Sequence, residues 1–159
     1  MGALHKYSVV FALIGCMGQA QFARADNPFP RLAGSWSGSG HVQFDQGKSE
    51  QITCKAYYTA QAEGAGLAMA FRCASGSYKI EMRAGLSQQD GRVVGHWEER
   101  TFNAAGSVTG RATPTNLDLA ISGAVSGTMF VTSNETGQRV ELKTVGSGLT
   151  GVTINLVRS

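Results

Sequence analysis

From Gly34 onwards, apolar and polar residues alternate with a period of two, which sends successive side chains to opposite faces of a strand. Trp36, Val42 and Phe44 share one face, with Ser37, His41 and Gln43 on the other. Ile52, Cys54, Ala56 and Tyr58 alternate with Gln51, Thr53, Lys55 and Tyr57, and Leu67, Met69, Phe71 and Cys73 follow in step. The pattern continues through Tyr78, Ile80, Met82, Ala84 and Leu86, then Val93, Gly95 and Trp97, then Val108, Gly110 and Ala112. Leu117, Leu119 and Ile121 extend it, whereas Met129 and Val131 carry it more weakly because Phe130 breaks the rule. Val140 and Leu142, then Val152, Ile154 and Leu156, complete it. About nine or ten short strands joined by tight turns are predicted. No segment carries a helical period, and only a short turn is expected near Asn27 to Leu32.

Gln88-Gln89-Asp90-Gly91, Asn103-Ala104-Ala105-Gly106 and Asn134-Glu135-Thr136-Gly137 carry turn chemistry. One apolar and one polar face per strand gives a single layered core, either a closed barrel or a two-sheet sandwich. The glycines favour the barrel. Gly-x-apolar-x-Gly recurs at 34–38, 91–95 and 106–110, and 123–127 repeats the spacing. A glycine inside a strand commonly marks a bulge or a bend at a barrel corner. The expected fold is therefore all-β, an antiparallel β-barrel spanning residues 34–159, with a β-sandwich as the alternative.

Cys54 and Cys73 flank Glu63-Gly64-Ala65-Gly66, the strongest turn signal in that region, and the midpoint between them falls within it. A symmetric hairpin there sets the two cysteines opposite each other on neighbouring strands, with Cβ atoms about 4.5–5.5 Å apart. Both also fall on the apolar face, so register and pattern agree. A disulfide is expected, contributing about 3 kcal/mol on the chain-entropy account. A redox-active pair needs closer spacing and a helix N-terminus to lower a thiol pKa, and neither is in the sequence.

The first 25 residues read as a secretory signal: Lys6, the apolar run Ser8 to Gly15, then Ala23-Arg24-Ala25 before Asp26. Leu13-Ile14-Gly15-Cys16 also fits a lipoprotein signal, in which Cys16 is the acylated first residue and the membrane is reached through lipid. The expected location is thus the periplasm or the exterior, with a lipid-anchored form as alternative. Loss of residues 1–25 lowers the formal charge from +3 to +1, which removes any charge argument for nucleic acid. Residues 26–33 are then an N-terminal arm, with Asp26 to Arg31 stiffened by two prolines.

Candidate chemistry is sparse. Gly146-Ser147-Gly148-Leu149-Thr150-Gly151 matches a dinucleotide fingerprint by letter, but it precedes a strand and lacks the helix that would receive a pyrophosphate, so it reads as a turn. His41 and His96 fall on polar faces, and no metal site is expected from them. Glu98 and Glu99 point to opposite faces and cannot act as a facing pair; Glu99 shares the side of Trp97 and is expected at a strand end near the rim. Lys79, Glu81 and Arg83, and Arg139, Glu141 and Lys143, are expected to form cross-strand ion pairs on a wet surface.

Leu32-x-Gly34-Ser35-Trp36 resembles the opening Gly-x-Trp of lipocalins and avidins, which implies a calycin-like barrel whose Trp36 plugs one end beside a basic residue of the last strand, here Arg158. Over more of the chain, Gly34-Ser35-Trp36-Ser37-Gly38, Cys54-Lys55-Ala56-x-Tyr58, Arg72-Cys73-Ala74-Ser75-x-Ser77-Tyr78-Lys79 and Gly95-His96-Trp97-Glu98-Glu99 resemble small exported α-proteobacterial proteins. That likeness implies an exported β domain with one disulfide and transfers no catalytic residues.

The expected function is binding rather than catalysis, with no cofactor and no catalytic residues. Trp36, Phe44, Tyr58, Phe71, Tyr78 and Trp97 form the expected interior, filled or left open for a small hydrophobic ligand. An envelope component held on the rim is a variant of this reading. The alternative is an inhibitor of a protease or lysozyme, acting through loops or the 26–31 arm.

Overall fold

The computed structural model describes residues 27–159; the signal segment and Cys16 lie outside them. A single turn of helix, α1 (Phe29–Leu32), precedes ten strands: β1 (Gly34–Phe44), β2 (Ser49–Gln61), β3 (Gly66–Ala74), β4 (Lys79–Gln89), β5 (Arg92–Glu99), β6 (Ala104–Ala112), β7 (Asn116–Gly123), β8 (Ser126–Ser133), β9 (Gly137–Val145) and β10 (Leu149–Arg158). Each strand pairs antiparallel with the next, and β10 pairs with β1 to close the barrel. The fold is therefore a closed meander, and the sandwich alternative does not apply.

Alternation decides what faces inward. The inward residues of β2 are Ile52, Cys54, Ala56 and Tyr58, at most 3% exposed, while Gln51, Thr53, Lys55 and Tyr57 between them are exposed. The β2–β3 register places Cys54 opposite Cys73 and turns through Ala62 to Ala65. The two sulfurs lie at bonding distance.

Glycine matters most beside Trp97. Across the sheet Trp97 faces Gly106, which faces Gly123, and a Cβ on Gly106 would meet Trp97 Nε1 at 2.7 Å. Without those side chains the indole reaches the Ser122 carbonyl, donating at 3.2 Å. Gly106 is thus inside β6, not part of a turn, which corrects the expected turn at 103–106. The reversal runs from Arg100 to Asn103, because the Glu99 carboxylate accepts the Phe102 N–H at 2.7 Å and draws the turn back. Asn103 takes the left-handed conformation there (φ 52°), which asparagine tolerates.

The expected cross-strand ion pairs also need correction. Arg139 pairs with Glu141 at 2.7 Å two residues along the same strand, not across to a neighbour.

Connections alternate between the two ends of the barrel, and the ends differ. At one end α1 lies across the opening. Asn27 Oδ1 accepts the Phe29 N–H at 3.0 Å and starts the turn, and Phe29 (0% exposed) and Leu32 (1%) descend into the core. The Leu32 carbonyl accepts the Trp36 indole N–H at 2.9 Å. Asn27 also donates to the Gly64 carbonyl on the β2–β3 turn. Within the expected N-terminal arm, residues 27–32 are therefore a plug held by burial and hydrogen bonds.

Candidate functional site: a cavity open at one end

One half of the barrel is closed. Phe29, Leu32, Trp36, Leu67, Val93, Leu117, Val131 and Leu156 are buried there, and none of them lines the cavity of the opposite half. Tyr58 lies at the same level and donates its hydroxyl to Gln138 Oε1 at 3.0 Å. Burial raises the Tyr58 phenol well above its ordinary pKa and keeps it neutral.

The other half is hollow. A cavity of about 660 Å³ opens at the end opposite α1, between the β1–β2, β3–β4, β5–β6, β7–β8 and β9–β10 connections. Its deeper wall is apolar: Ile52, Met69, Leu86, Val108, Leu119 and Met129 are among its residues. Volumes of about 300–1,000 Å³ are typical of small-molecule sites.

Of the six residues expected to form the interior, the cavity wall takes Phe44, Phe71, Tyr78 and Trp97. Trp36 and Tyr58 point inward but belong to the sealed floor, so they do not line the ligand space. The reason is axial position. Alternation assigns a side chain to inside or outside, but not to a height along the barrel. Phe71 bridges the two halves, meeting Tyr58 edge-on with ring centroids 5.5 Å apart.

Tyr78 departs from the expected strand interior. It precedes β4 on the β3–β4 connection and is 39% exposed, tilted against Phe44 with centroids 5.3 Å apart. Phe102, on the β5–β6 connection, is 60% exposed and also borders the opening. Phe102 was missed because it follows polar residues in a turn and belongs to no alternating run.

Glu99 ends β5 at the mouth, half-buried and lining the cavity. Its Oε1 accepts the Glu81 N–H at 2.9 Å and its Oε2 the Phe102 N–H at 2.7 Å. Burial pushes its carboxyl pKa up, but these donors together with Thr101 outweigh that and hold it below the usual glutamate value. The carboxylate is thus a fixed anion at the entrance. Asp45 borders the same opening from the β1–β2 connection. His41 and His96 are exposed on outer faces, and among the described residues no group of three or more His, Cys, Asp or Glu is placed to hold a metal.

No protein-family profile matches the chain, and no curated protein does. Solved structures do. The crystal structure of Rv2717c from M. tuberculosis superposes with a TM-score of 0.64 at 15% identity, covering 86% of this chain and 98% of that one. The S-type phycobiliprotein lyase CPES from Guillardia theta superposes with a TM-score of 0.55 at 16% identity, covering 82% and 90%. Likeness at this identity shows the fold, a closed antiparallel β-barrel, and carries no activity across. It does correct one expectation. A protein named a lyase is built on this barrel, so the lack of a recognisable catalytic constellation in the sequence does not mark the chain as a non-enzyme.

Proposed function

We propose that this protein is an exported barrel that takes one small, largely apolar ligand through its open end. The observation that carries the reading is the cavity of about 660 Å³, apolar in its depth and bordered at its open end by Phe44, Tyr78 and Phe102. Burying a ligand there removes apolar surface of both partners from water, worth about 25 cal/mol per Å² before the cost of immobilising the ligand. Export is supported by the Cys54–Cys73 pair, since such bonds persist in oxidising compartments, and by the signal read at residues 1–25. One small, single-chain apolar molecule suits the volume.

The test uses protein purified from the periplasm of its own host. Native mass spectrometry reports any retained mass, and uptake of the neutral dye Nile red reports the cavity. Trp97 is in the cavity wall and Trp36 is not, so ligand entry changes Trp97 emission, and Trp97→Phe removes the response. Val108→Trp fills the wall and abolishes dye uptake in a folded barrel. Equal uptake by wild type and Val108→Trp would refute the reading.

A further inference from the structure

Polar atoms of the cavity wall gather at the mouth, and their hydrogen-bonding capacity is one-sided. Lysine, arginine and histidine are absent from the lining among the described residues. The hydroxyl hydrogens are already used. Ser75 donates to Glu50 Oε2 at 2.8 Å, Ser147 to the Leu149 carbonyl at 3.0 Å, and Thr144 to that same carbonyl. The Trp97 N–H goes to the Ser122 carbonyl. Only the Tyr78 hydroxyl, at the exposed rim, keeps its hydrogen among these wall side chains.

Among the wall side chains, what otherwise remains is capacity to accept. The Glu99 carboxylate accepts from Glu81 and Phe102, with Thr101 donating as well, and presents its negative charge at the mouth. Asp45 gives its backbone N–H to the Gly148 carbonyl at 2.8 Å and presents a second carboxylate at the opening.

Building on the ligand-binding reading above, the geometry points to the ligand's class: an apolar body ending in a hydrogen-bond donor, a hydroxyl or an ammonium, and carrying no anionic group. A donor head meets the two carboxylates of Glu99 and Asp45 that line the mouth. An anionic head would sit beside two carboxylates with no cation in the wall. Nearby cations do not reverse this. Lys48 is engaged by Glu50 at 3.5 Å, and Lys79 and Arg100 are exposed outside the lining. The site therefore selects against fatty acids and phosphate-bearing lipids and favours long-chain alcohols and amines.

Displacement of Nile red from the full mature chain tests this, with dodecylamine, 1-dodecanol and dodecanoate each below its micellar concentration. At neutral pH dodecylamine is protonated and dodecanoate ionised. The expected result is that both donor-headed chains displace the dye at concentrations roughly tenfold lower than dodecanoate. In Asp45→Asn/Glu99→Gln the gap closes to about threefold or less. Because Glu99 also shapes its turn, Asp45→Asn alone supplies an independent arm, and it narrows the gap without touching that turn. Dodecanoate matching the other two in wild type overturns the inference and leaves the cavity reading intact, as does a gap unchanged in both variants. No dye uptake by wild type removes the binding reading itself, and the inference with it.

Discussion

The Arg158 guanidinium carbon lies 4.2 Å from the centroid of the Trp36 ring, so the last strand locks onto the first at the sealed end of the barrel. The same group donates to the carbonyls of Ala33 at 2.9 Å and Arg31 at 2.8 Å, and to that of Glu135 at 3.4 Å. One planar fork thus satisfies carbonyls at the end of α1 and on the β8–β9 turn while covering the indole.

Arg158→Ala is expected to lower stability by about 1–3 kcal/mol, the sum of a cation–π contact and exposed charge-assisted hydrogen bonds. Arg158→Lys keeps the charge but not the fork and falls between. Urea denaturation midpoints measure both. An alanine variant as stable as wild type would mean the lock contributes nothing.

The buried pair Tyr58–Gln138 gives a prediction of opposite signs for single and double changes. Gln138 is 5% exposed, and its Nε2 has no partner among the described residues. Tyr58→Phe removes the remaining bond and strands the amide, costing about 1–3 kcal/mol. Tyr58→Phe/Gln138→Leu removes both polar groups and is expected to match or exceed wild type. Thermal melts of the three proteins decide it.

Glu99 sets an acid-side pH dependence. Its folded pKa is depressed below 4.5, so its contribution is fully present above that value and is lost as pH falls through the lower folded pKa. Melting temperature should therefore drop as the solution is acidified below pH 4.5, and Glu99→Gln should drop less. Parallel curves for the two proteins would rule out this linkage.

For the disulfide, Cys54→Ala/Cys73→Ala is expected to cost about 3 kcal/mol, from release of the loop it closes. Guanidinium denaturation of the oxidised protein against the double variant measures the loss.

Register was the most legible property of the chain. A turn at Glu63-Gly64 and two cysteines in step with the apolar face predict the β2–β3 pairing that is found, and Gly146 to Gly151 spans the β9–β10 turn and the start of β10. The height of each residue along the axis was not legible. Trp36, Tyr58, Phe71 and Trp97 carry the same inward signal, yet two are floor and two are wall. What separates them is the α1 plug, whose two prolines read as stiffness when they in fact open a helical turn that turns Phe29 inward. Glu99 was placed at a rim by its position, but its role as an acceptor for two backbone donors depends on how the β5–β6 connection reverses.

Both ends of the described chain emerge at the plugged end: Asn27 beside Gly64, and Ser159 donating its N–H to the Ser35 carbonyl at 3.0 Å. Any leash attached there, whether an acylated Cys16 upstream or a fusion downstream, holds the protein by its base. The entrance lies at the opposite end of the barrel from both attachment points. A sample tagged at either terminus is therefore held from the end opposite the cavity mouth.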